Sequence, residues 1–475
     1  MARGPVGNSE AWTRSRRQRR VLALRERRAL RKRARAMARG LAVGAVLAGA
    51  GPAAAATFTV TNTNDSGPGS LRQALIDANA AAGADDIVFA VVPPATISVL
   101  NTLPQITGPL TLTGLGAANL TIRRDPGAAS NFRIFDITAG AAPQVTITGV
   151  TLTNGNPGSL PGGAINAAGS AGLAVTVGDA AITGNNAHRG GGIAVGNSTS
   201  LTVRRTLIEG NASTLQGGGL YLPLGNTLVL EDSTVRGNVA GDGGGGLSSY
   251  LPGGPVTIRG TTISGNTNVA GFGGGGLSFI TYYSPPIVIE NSTISGNATV
   301  NWGGGITQLE LLQSGGEGTG SSALTITHST ITLNTATGAP GAGGLYDGGF
   351  VTTLRNTIVS GNTNANAPDI SGSAKVNFCA VGSPLGWFPE AGSGNNLPFG
   401  TDLQLGPLQD NGGPTLTHEP GPNAAPVNAG DPAFVPPPDF DQRGPGFARV
   451  IGGVLDIGAV ERDPVPVEAQ EFTIE

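Results

Sequence analysis

Charged residues recur at one position of a repeated unit in the middle of the chain, and they are the first candidates for chemistry. At the fourth position of successive units stand Arg204, Glu231, Arg259 and Glu290. Glycoside hydrolases use two carboxylates about 5–9.5 Å apart, and a carboxylate cluster can bind Ca²⁺ beside a basic proton acceptor. Here each acid has a basic neighbour at the same position of the next unit. The alternating signs therefore favour ion pairs between neighbouring coils over a catalytic cluster.

The other residue types used in catalysis show no matching arrangement. His188 and His328 stand at different positions of the repeat, His418 lies near the C-terminal end, and Cys379 is the only cysteine. The sequence shows no zinc-like spacing and no phosphate-binding glycine loop. A buried, unreactive thiol is the preferred interpretation of Cys379. We therefore assign no catalytic, cofactor-binding or metal-binding residue and expect no cofactor, while an enzymatic activity stays open.

Tyrosines supply a different kind of candidate site. All five follow a Gly-Gly-Leu element, and four of them are the candidates: Tyr221, Tyr250, Tyr282 and Tyr346. Each of these four stands an odd number of residues after the leucine. In a strand, side chains at odd offsets from an inward-facing residue point outward. An outward row of phenol rings could stack against sugar rings. The alternative is that these rings fold back over the coil edges and shield the core.

The repeated unit itself reads "VTVGDAAITGN" from Val175 and returns six times at intervals of 26 to 37 residues. A period of this length indicates a solenoid of stacked coils. Aliphatic residues at positions 1, 3 and 8 face inward, and Gly-Asn at positions 10 and 11 forms a turn. Equivalent positions stack, so the eleventh position predicts a structural ladder of amides. Its members are Asn185, Asn211, Asn238, Asn266, Asn297, Asn334 and Asn362.

These features predict an all-β fold, a right-handed parallel β-helix (solenoid) with a short N-terminal capping helix and a loop-rich C-terminal domain. Ser70 is a suitable N-cap for "LRQALIDANA", in which Leu71, Ala74, Leu75 and Ala78 share one face. An amphipathic helix here would cover the open end of the first coil. The sequence predicts five divisions: a signal segment at 1–56, a cap and irregular coils at 57–144, regular coils at 145–368, a terminal domain at 369–461, and a loose acidic tail at 462–475.

Charge is distributed unevenly along the chain. Residues 1–56 hold 14 of the 28 basic residues but only 2 of the 31 acidic ones, so residues 57–475 carry 14 basic against 29 acidic side chains. That balance disfavours nucleic acid and anionic membranes as partners. The segment 41–56 is apolar, ends in small residues and is too short to span a bilayer, which predicts an export signal. Met37 is the preferred translation start; a long basic or twin-arginine signal is the alternative.

Parts of the chain resemble known bacterial families. "AITGN" with "GGGI" from Gly190, and "TISGN" with "GGGI" from Gly303, resemble the repeats of polymorphic outer membrane proteins. The opening "TFTVTNTNDSGPGSLRQALIDANAAAGADDIVF" is similar to the start of CSLREA-type β-helix proteins. The stretch from Leu405 to Glu461, with "DNGGPTLTHEPGPNAAPVNAGDP" and "DIGAVE", resembles the choice-of-anchor Q domain. These resemblances imply an exported or cell-surface β-helix protein, and they do not imply one activity.

The terminal domain brings charged residues into a turn-rich stretch. We expect Arg443 to pair with Asp456 or Glu461 and to fix the C-terminal closure of the solenoid, with a ligand site there as the alternative. For the whole protein we expect an extracellular or cell-surface location and an elongated, adhesin-like binding face. Its partner would be a polysaccharide or another surface protein. The alternatives are an extracellular polysaccharide lyase or glycoside hydrolase, and a structural spacer of the cell surface.

Overall fold

The computed structural model describes residues 55–140, 143–169, 171–281, 285–310, 323–349 and 351–463. Nearly all of the predicted signal segment with Met37, as well as Tyr282 and most of the acidic tail, lie outside these residues. Among the residues described, no helix combines the length and the hydropathy needed to cross a bilayer.

The predicted capping helix is confirmed, and it spans Leu71–Ala80. Ser70 is its N-cap, and the Ser70 side chain accepts a hydrogen bond from the backbone N–H of Gln73. The four residues expected on one face are the buried ones. This face packs beside the first two strands of the solenoid, where it covers apolar side chains that no preceding coil could cover.

The predicted parallel β-helix is also confirmed, and its strands form four stacks that we call sheets A to D. Sheet A contains Thr57–Val60, Asp85–Phe89, Leu110–Thr113, Gln144–Thr148, Ala174–Gly178, Ser200–Arg204, Thr227–Glu231, Val256–Arg259, Ile287–Glu290, Ala323–Thr327, Val351–Arg355, Ile370–Asn377 and Trp387–Pro389. Sheet B contains Ala95–Val99, Leu120–Arg124, Thr151–Thr153, Ala181–Thr183, Leu207–Glu209, Thr234–Arg236, Thr262–Ser264, Thr293–Ser295, Thr330–Thr332, Ile358–Val359 and Ala380–Val381.

The other two sheets complete each coil. Sheet C contains Phe135–Ile137, Ile165–Ala167, Ile193–Val195, Leu220–Leu222, Leu247–Tyr250, Leu277–Thr281, Ile306–Glu310 and Leu345–Gly348. Sheet D consists of two-residue strands at Asn186–Ala187, Ala212–Ser213, Val239–Ala240, Thr267–Asn268, Ala298–Thr299 and Thr335–Ala336. Strand Ile370–Asn377 pairs with both sheet C and sheet A, so the solenoid continues past residue 368, where we expected the regular coils to end.

Two kinds of left-handed turn bend the chain between sheets. The fifth position of the unit is one of them, and Asp179, Arg205 and Asp232 hold φ values of 50°, 45° and 49° there. Gly184, Gly210 and Gly237, at the tenth position, hold φ values of 60–61°. Only the second turn was evident from the sequence, because glycine marks a left-handed conformation and arginine does not.

The glycine runs before sheet C are explained by close contacts between coils. A Cβ atom at Gly245 would lie 2.4 Å from the carbonyl oxygen of Gly275, and one at Gly275 would lie 2.4 Å from that of Gly304. The chain can stack at this corner only without side chains. The inward positions 1, 3 and 8 are filled by aliphatic side chains that are almost completely buried, as the repeat predicts.

The C-terminal residues make contacts along the side of the solenoid, which we did not predict. Residues 401–463, which we call the terminal segment, fold back along the outer face of sheet B. The Gln442 side chain donates to Thr262 Oγ1 at 3.0 Å and accepts from Thr293 Oγ1 at 2.6 Å. His418 Nε2 lies 2.8 Å from Ser295 Oγ, and Ala459 N–H donates to Thr330 Oγ1. The segment thereby crosses three neighbouring coils.

Candidate functional site

The seven repeated asparagines form one buried ladder. Each Nδ2 donates to the Oδ1 of the next asparagine, from Asn185 to Asn362, at 2.9–3.0 Å. The same Oδ1 also accepts the backbone N–H of the preceding asparagine, for example Asn211 N–H to Asn238 Oδ1 at 3.0 Å. Each Nδ2 also donates to a backbone carbonyl of the preceding coil, for example Asn238 to Ile208, and the last amide, Asn362, donates to the buried carboxylate of Asp369. The ladder holds the turn between sheets B and D and leaves no polar atom directed at solvent.

The charged column at the fourth position is in register. Arg204 stands beside Glu231, Glu231 beside Arg259, and Arg259 beside Glu290. The ion pairs join these residues two by two: Arg204 Nε to Glu231 Oε2 at 2.9 Å, and Arg259 Nε to Glu290 Oε2 at 2.7 Å. Asp179 with Arg205 and Glu209 with Arg236 pair in the same manner. The Arg205 guanidinium lowers the pKa of Asp179 through its hydrogen bonds.

Replacing Glu231 by Lys should lower the free energy of unfolding by about 1 kcal/mol. The introduced ammonium would stand between Arg204 and Arg259, with like charges on both sides. Urea denaturation at low ionic strength measures the effect. The double variant Arg204→Glu/Glu231→Lys should regain part of the loss, because it restores one opposite pair. An unchanged midpoint for Glu231→Lys would contradict the pairing.

The predicted tyrosine row is not continuous. Tyr221 and Tyr346 occupy the same register position of sheet C, but three coils with Ser248, Ser278 and Thr307 separate them. Tyr250 lies two residues further along its strand, in register with Ile280. The three tyrosines share one sheet because each follows the inward leucine of a stacked unit. They are not adjacent, because serine or threonine occupies the position of Tyr221 in the intervening coils and Tyr250 stands at a different offset.

An aromatic cluster lies instead at the corner between sheets D and C. Trp302 stacks on Tyr346 with ring centroids 5.4 Å apart and an interplanar angle of 18°. The Phe272 ring centroid lies 5.0 Å from that of Trp302, and Phe272 is 61% exposed. The three rings come from three successive coils, so the cluster runs along the solenoid axis. The exposed side chains of Val269 and Val300 lie close by in sequence, before Phe272 and Trp302 respectively.

Polar side chains extend this cluster toward the N-terminal coils. Asp242 Oδ1 accepts the backbone N–H of Phe272 at 2.8 Å. Arg189 donates from Nε to Gln216 Oε1 at 2.6 Å, and its guanidinium lies 5.6 Å from the Tyr221 ring centroid. We call this surface the aromatic corner, and its members are Arg189, Gln216, Tyr221, Asp242, Phe272, Trp302 and Tyr346.

Sequence reasoning missed Phe272 and Trp302, although a signal was present. Both stand immediately before a glycine run, in "GFGGGG" and "NWGGG", where the three preceding units carry Arg, Gln and Asp. A large apolar residue at a turn that cannot bury it is an indication of an interaction surface. Burial raises the pKa of the Tyr221 and Tyr346 phenols, and the Asp347 carboxylate contributes at Tyr346.

The charged residues of the terminal segment form a second cluster, and here the expected partner of Arg443 was wrong. Arg443 pairs with Asp441 at 2.7 Å and donates to the backbone carbonyl of Glu461. The Glu461 carboxylate instead pairs with Arg449 at 3.0 Å, and both side chains are almost fully buried. Asp456 accepts backbone N–H groups of Asn428 and Arg462. The partners of Arg443, Arg449 and Asp456 depend on the fold of the terminal segment. Proximity in sequence does not predict that fold.

Burial changes the protonation behaviour of several of these groups. It raises the pKa of Glu461 to about 7, against the opposing effect of Arg449. Burial also raises the pKa of Asp456 and that of Cys379, the latter to about 12, which disfavours the reactive thiolate form of Cys379. His418, with its ring nitrogens near Ser295 and the Gly406 carbonyl, has its pKa lowered by burial.

We expect the His328 imidazole to stay neutral from about pH 8 to about pH 5 in the folded protein. Its ring packs against Phe434 of the terminal segment at 4.8 Å. Burial lowers its pKa to about 3, helped by the charges of Arg449 and Arg355. Because the unfolded value is about 6.5, this histidine withdraws stability as the pH falls from there toward 3. NMR titration of the histidine ring protons measures the charge; a midpoint above about pH 5 would contradict the packing.

No arrangement typical of metal chemistry is present within the described ranges. There, no group of three or more His, Cys, Asp or Glu side chains could hold a metal ion. At the corner between sheets A and B, the carboxylates of Asp179, Glu231 and Glu290 are paired with arginines. The aromatic corner is the surface on which three contacting rings from successive coils, one of them 61% exposed, lie beside polar side chains.

Comparison with known proteins gives one family. The family described as "Right handed beta helix region" matches residues 134–310 and 213–379, which together cover 246 of the 475 residues. The matched ranges include every coil that contributes to the asparagine ladder and to the aromatic corner. Neither the curated proteins nor the solved structures contain a match to this chain.

Proposed function

Because the chain belongs to the right-handed beta-helix family, we propose that it is an exported binding protein that uses its solenoid as a rigid support for the aromatic corner. The ligand class we propose is carbohydrate, and the location is extracellular or on the cell surface. The apolar segment 41–56 supports export. The fold is consistent with binding proteins and with polysaccharide-acting enzymes, so we base the proposal on the site.

The observation that carries the proposal is the exposure of Phe272 beside Trp302 and Tyr346. A soluble protein seldom leaves a cluster of large apolar side chains at its surface unless something binds there. Phe272 is 61% exposed, and Val269 and Val300 are 51% and 41% exposed. Since aromatics make up only 5% of the chain, three contacting rings on neighbouring coils are a marked local concentration.

The chemistry of the aromatic corner suits sugars. Sugar rings have apolar C–H faces that pack on aromatic rings and hydroxyls that need hydrogen-bond partners. Hydrogen bonds between the described residues engage neither the indole N–H of Trp302 nor the hydroxyl of Tyr346. Both groups can therefore bind ligand hydroxyls. Asp242 and Gln216 supply hydrogen-bond acceptors on the adjoining coils. Hydrogen bonds between the parallel strands of successive coils hold the backbone in place.

Binding is better supported than turnover. A glycosidase needs one carboxylate as acid and another as base or nucleophile, both facing the same bond. Glu209, Glu231 and Glu290 are each bound by an arginine of a neighbouring coil. Asp242 contacts the backbone of Phe272. No specific observation in the described residues favours lyase or hydrolase chemistry, so we propose no second function.

Replacing Phe272 or Trp302 by Ala should weaken retention of the protein on its polysaccharide by about tenfold or more. Both changes remove apolar contact area from the surface, so we expect little loss of thermal stability. Affinity electrophoresis in gels that contain soluble polysaccharides gives the retention directly. Phe388→Ala is the matched control, because Phe388 is 67% exposed but lies on strand Trp387–Pro389, away from the corner.

The same experiment can reject the proposal. Equal retention of wild type, Phe272→Ala and Trp302→Ala would show that the aromatic corner is not the binding surface. Release of shortened or unsaturated saccharides by the wild type would show turnover instead of binding alone.

A further inference from the structure

The basic side chains of the described residues are nearly all engaged within the protein. Fourteen Lys and Arg occur there, and ten of them form ion pairs with carboxylates. The ten are Arg72, Arg133, Arg204, Arg205, Arg236, Arg259, Arg355, Arg443, Arg449 and Arg462. A guanidinium that is already paired is a poor partner for the carboxylate or sulfate of a polysaccharide, because binding would require breaking the first pair.

Only one of the four remaining cations lies at the aromatic corner. Arg123 donates to Ser98 on sheet B, Arg124 donates to the Ser130 carbonyl, and Lys375 stands on a sheet A strand. Arg189 is at the corner, where its Nε is used by Gln216 and its guanidinium lies over Tyr221. It is therefore positioned by two neighbours rather than projecting as a free cation.

Negative charge, by contrast, is present at the corner. Asp242 lies beside Phe272, and the Asp347 charge is close enough to raise the pKa of Tyr346. Across residues 57–475 the balance is 14 basic against 29 acidic side chains. This excess of negative charge would repel an anionic ligand, whereas it would not affect an uncharged ligand.

We infer that the ligand of the aromatic corner is an uncharged polysaccharide, and that acidic or sulfated polysaccharides are excluded. The inference rests on the proposed binding function and adds the charge class of the ligand. The chain of sugars lies along the solenoid axis, across the successive coils that carry Phe272, Trp302 and Tyr346. Hydroxyl groups hydrogen-bond to the polar tips of the rings and to Asp242.

Two matched pairs of polymers test the charge class. Dextran is compared with dextran sulfate, and hydroxyethyl cellulose with carboxymethyl cellulose, so each pair differs mainly in charge. We expect the mature protein to be retained by an uncharged member and not by its charged counterpart. Retention should change less than about twofold between low salt and about 0.5 M NaCl, where exposed charges are screened within a few ångströms. Phe388→Ala, on the strand Trp387–Pro389 outside the aromatic corner, should keep this retention.

The outcomes separate this inference from the proposed function. Stronger retention by the charged member of either pair, lost in Phe272→Ala and in high salt, would overturn the inference and leave the binding corner in place. Retention of the uncharged member that is equal in wild type and Phe272→Ala would overturn the proposed function. If neither pair retained the wild type, while a peptide library bound in a Phe272-dependent manner, the carbohydrate class itself would be rejected.

Discussion

Asn238→Ala, in the middle of the asparagine ladder, is expected to lower the free energy of unfolding by about 3 kcal/mol. Asn238 Oδ1 accepts both the backbone N–H and the side-chain Nδ2 of Asn211. Its own Nδ2 donates to Asn266 Oδ1 and to the Ile208 carbonyl. All of these groups are buried. Alanine would leave several donors and one carbonyl without partners, in a space that side chains from neighbouring coils cannot fill.

A neighbouring asparagine provides the control. Asn186 directly follows a ladder member but is exposed on sheet D, so Asn186→Ala should change the stability by less than about 0.5 kcal/mol. Urea denaturation followed by circular dichroism compares the two variants. Equal midpoints for Asn238→Ala and wild type would mean that the ladder contributes nothing to stability.

The second large effect is expected at Arg449. Its side chain is fully buried and pairs with Glu461, and it also donates to the Gly458 carbonyl. Arg449→Met keeps much of the volume but leaves Glu461 and that carbonyl without the guanidinium. Breaking a buried pair from one side costs about 3–5 kcal/mol. We expect the loss to appear mainly as release of the terminal segment, because the ladder and the coil core do not depend on this pair.

Limited proteolysis distinguishes local release from global unfolding. Cleavage of Arg449→Met should begin within residues 401–463 while the coils stay resistant. Arg462→Met is the matched control, since its ion pair with Glu419 is partly exposed, with 25% and 28% exposure of the two side chains; exposed pairs contribute about 0.2–1 kcal/mol. Cleavage patterns that are identical for Arg449→Met and wild type would contradict this account of the terminal segment.

The parts of this protein that could be predicted from its sequence are those governed by the repeat. In a parallel solenoid, equal positions of successive units become neighbours about 4.8 Å apart. The register of Arg204, Glu231 and Arg259, and the stacking of Asn211 on Asn238, follow from that geometry alone. The capping helix was equally predictable, because Ser70 and the apolar face of residues 71–78 are local signals.

The parts that could not be predicted depend on contacts outside the repeat. Gln442 contacts Thr262 and Thr293 across 149 to 180 residues of sequence. No periodic pattern connects a loop-rich segment to the sheet on which it lies. The aromatic corner was missed for a related reason: Phe272 and Trp302 stand in insertions of variable length, whereas the tyrosines follow a recognisable Gly-Gly-Leu element.

The division between repeat and insertion has a functional consequence. The backbone of each coil is held by the asparagine ladder, the inward aliphatic residues and the glycine runs. The residues before each glycine run can therefore differ between coils without disturbing the fold. In three units these residues are polar. In the two units that carry Phe272 and Trp302 they are aromatic, which creates a rigid, exposed apolar surface along the axis.

Tryptophan fluorescence tests the central claim most directly. Of the three tryptophans, Trp302 is at the aromatic corner, Trp387 lies on the last sheet A strand, and Trp12 lies in the predicted signal segment. In the mature Trp387→Phe variant, Trp302 is the only tryptophan. We predict a saturable shift of its emission on titration with the uncharged polymer that retains the protein. Retention of the variant by that polymer without any change in Trp302 emission would contradict binding at the aromatic corner.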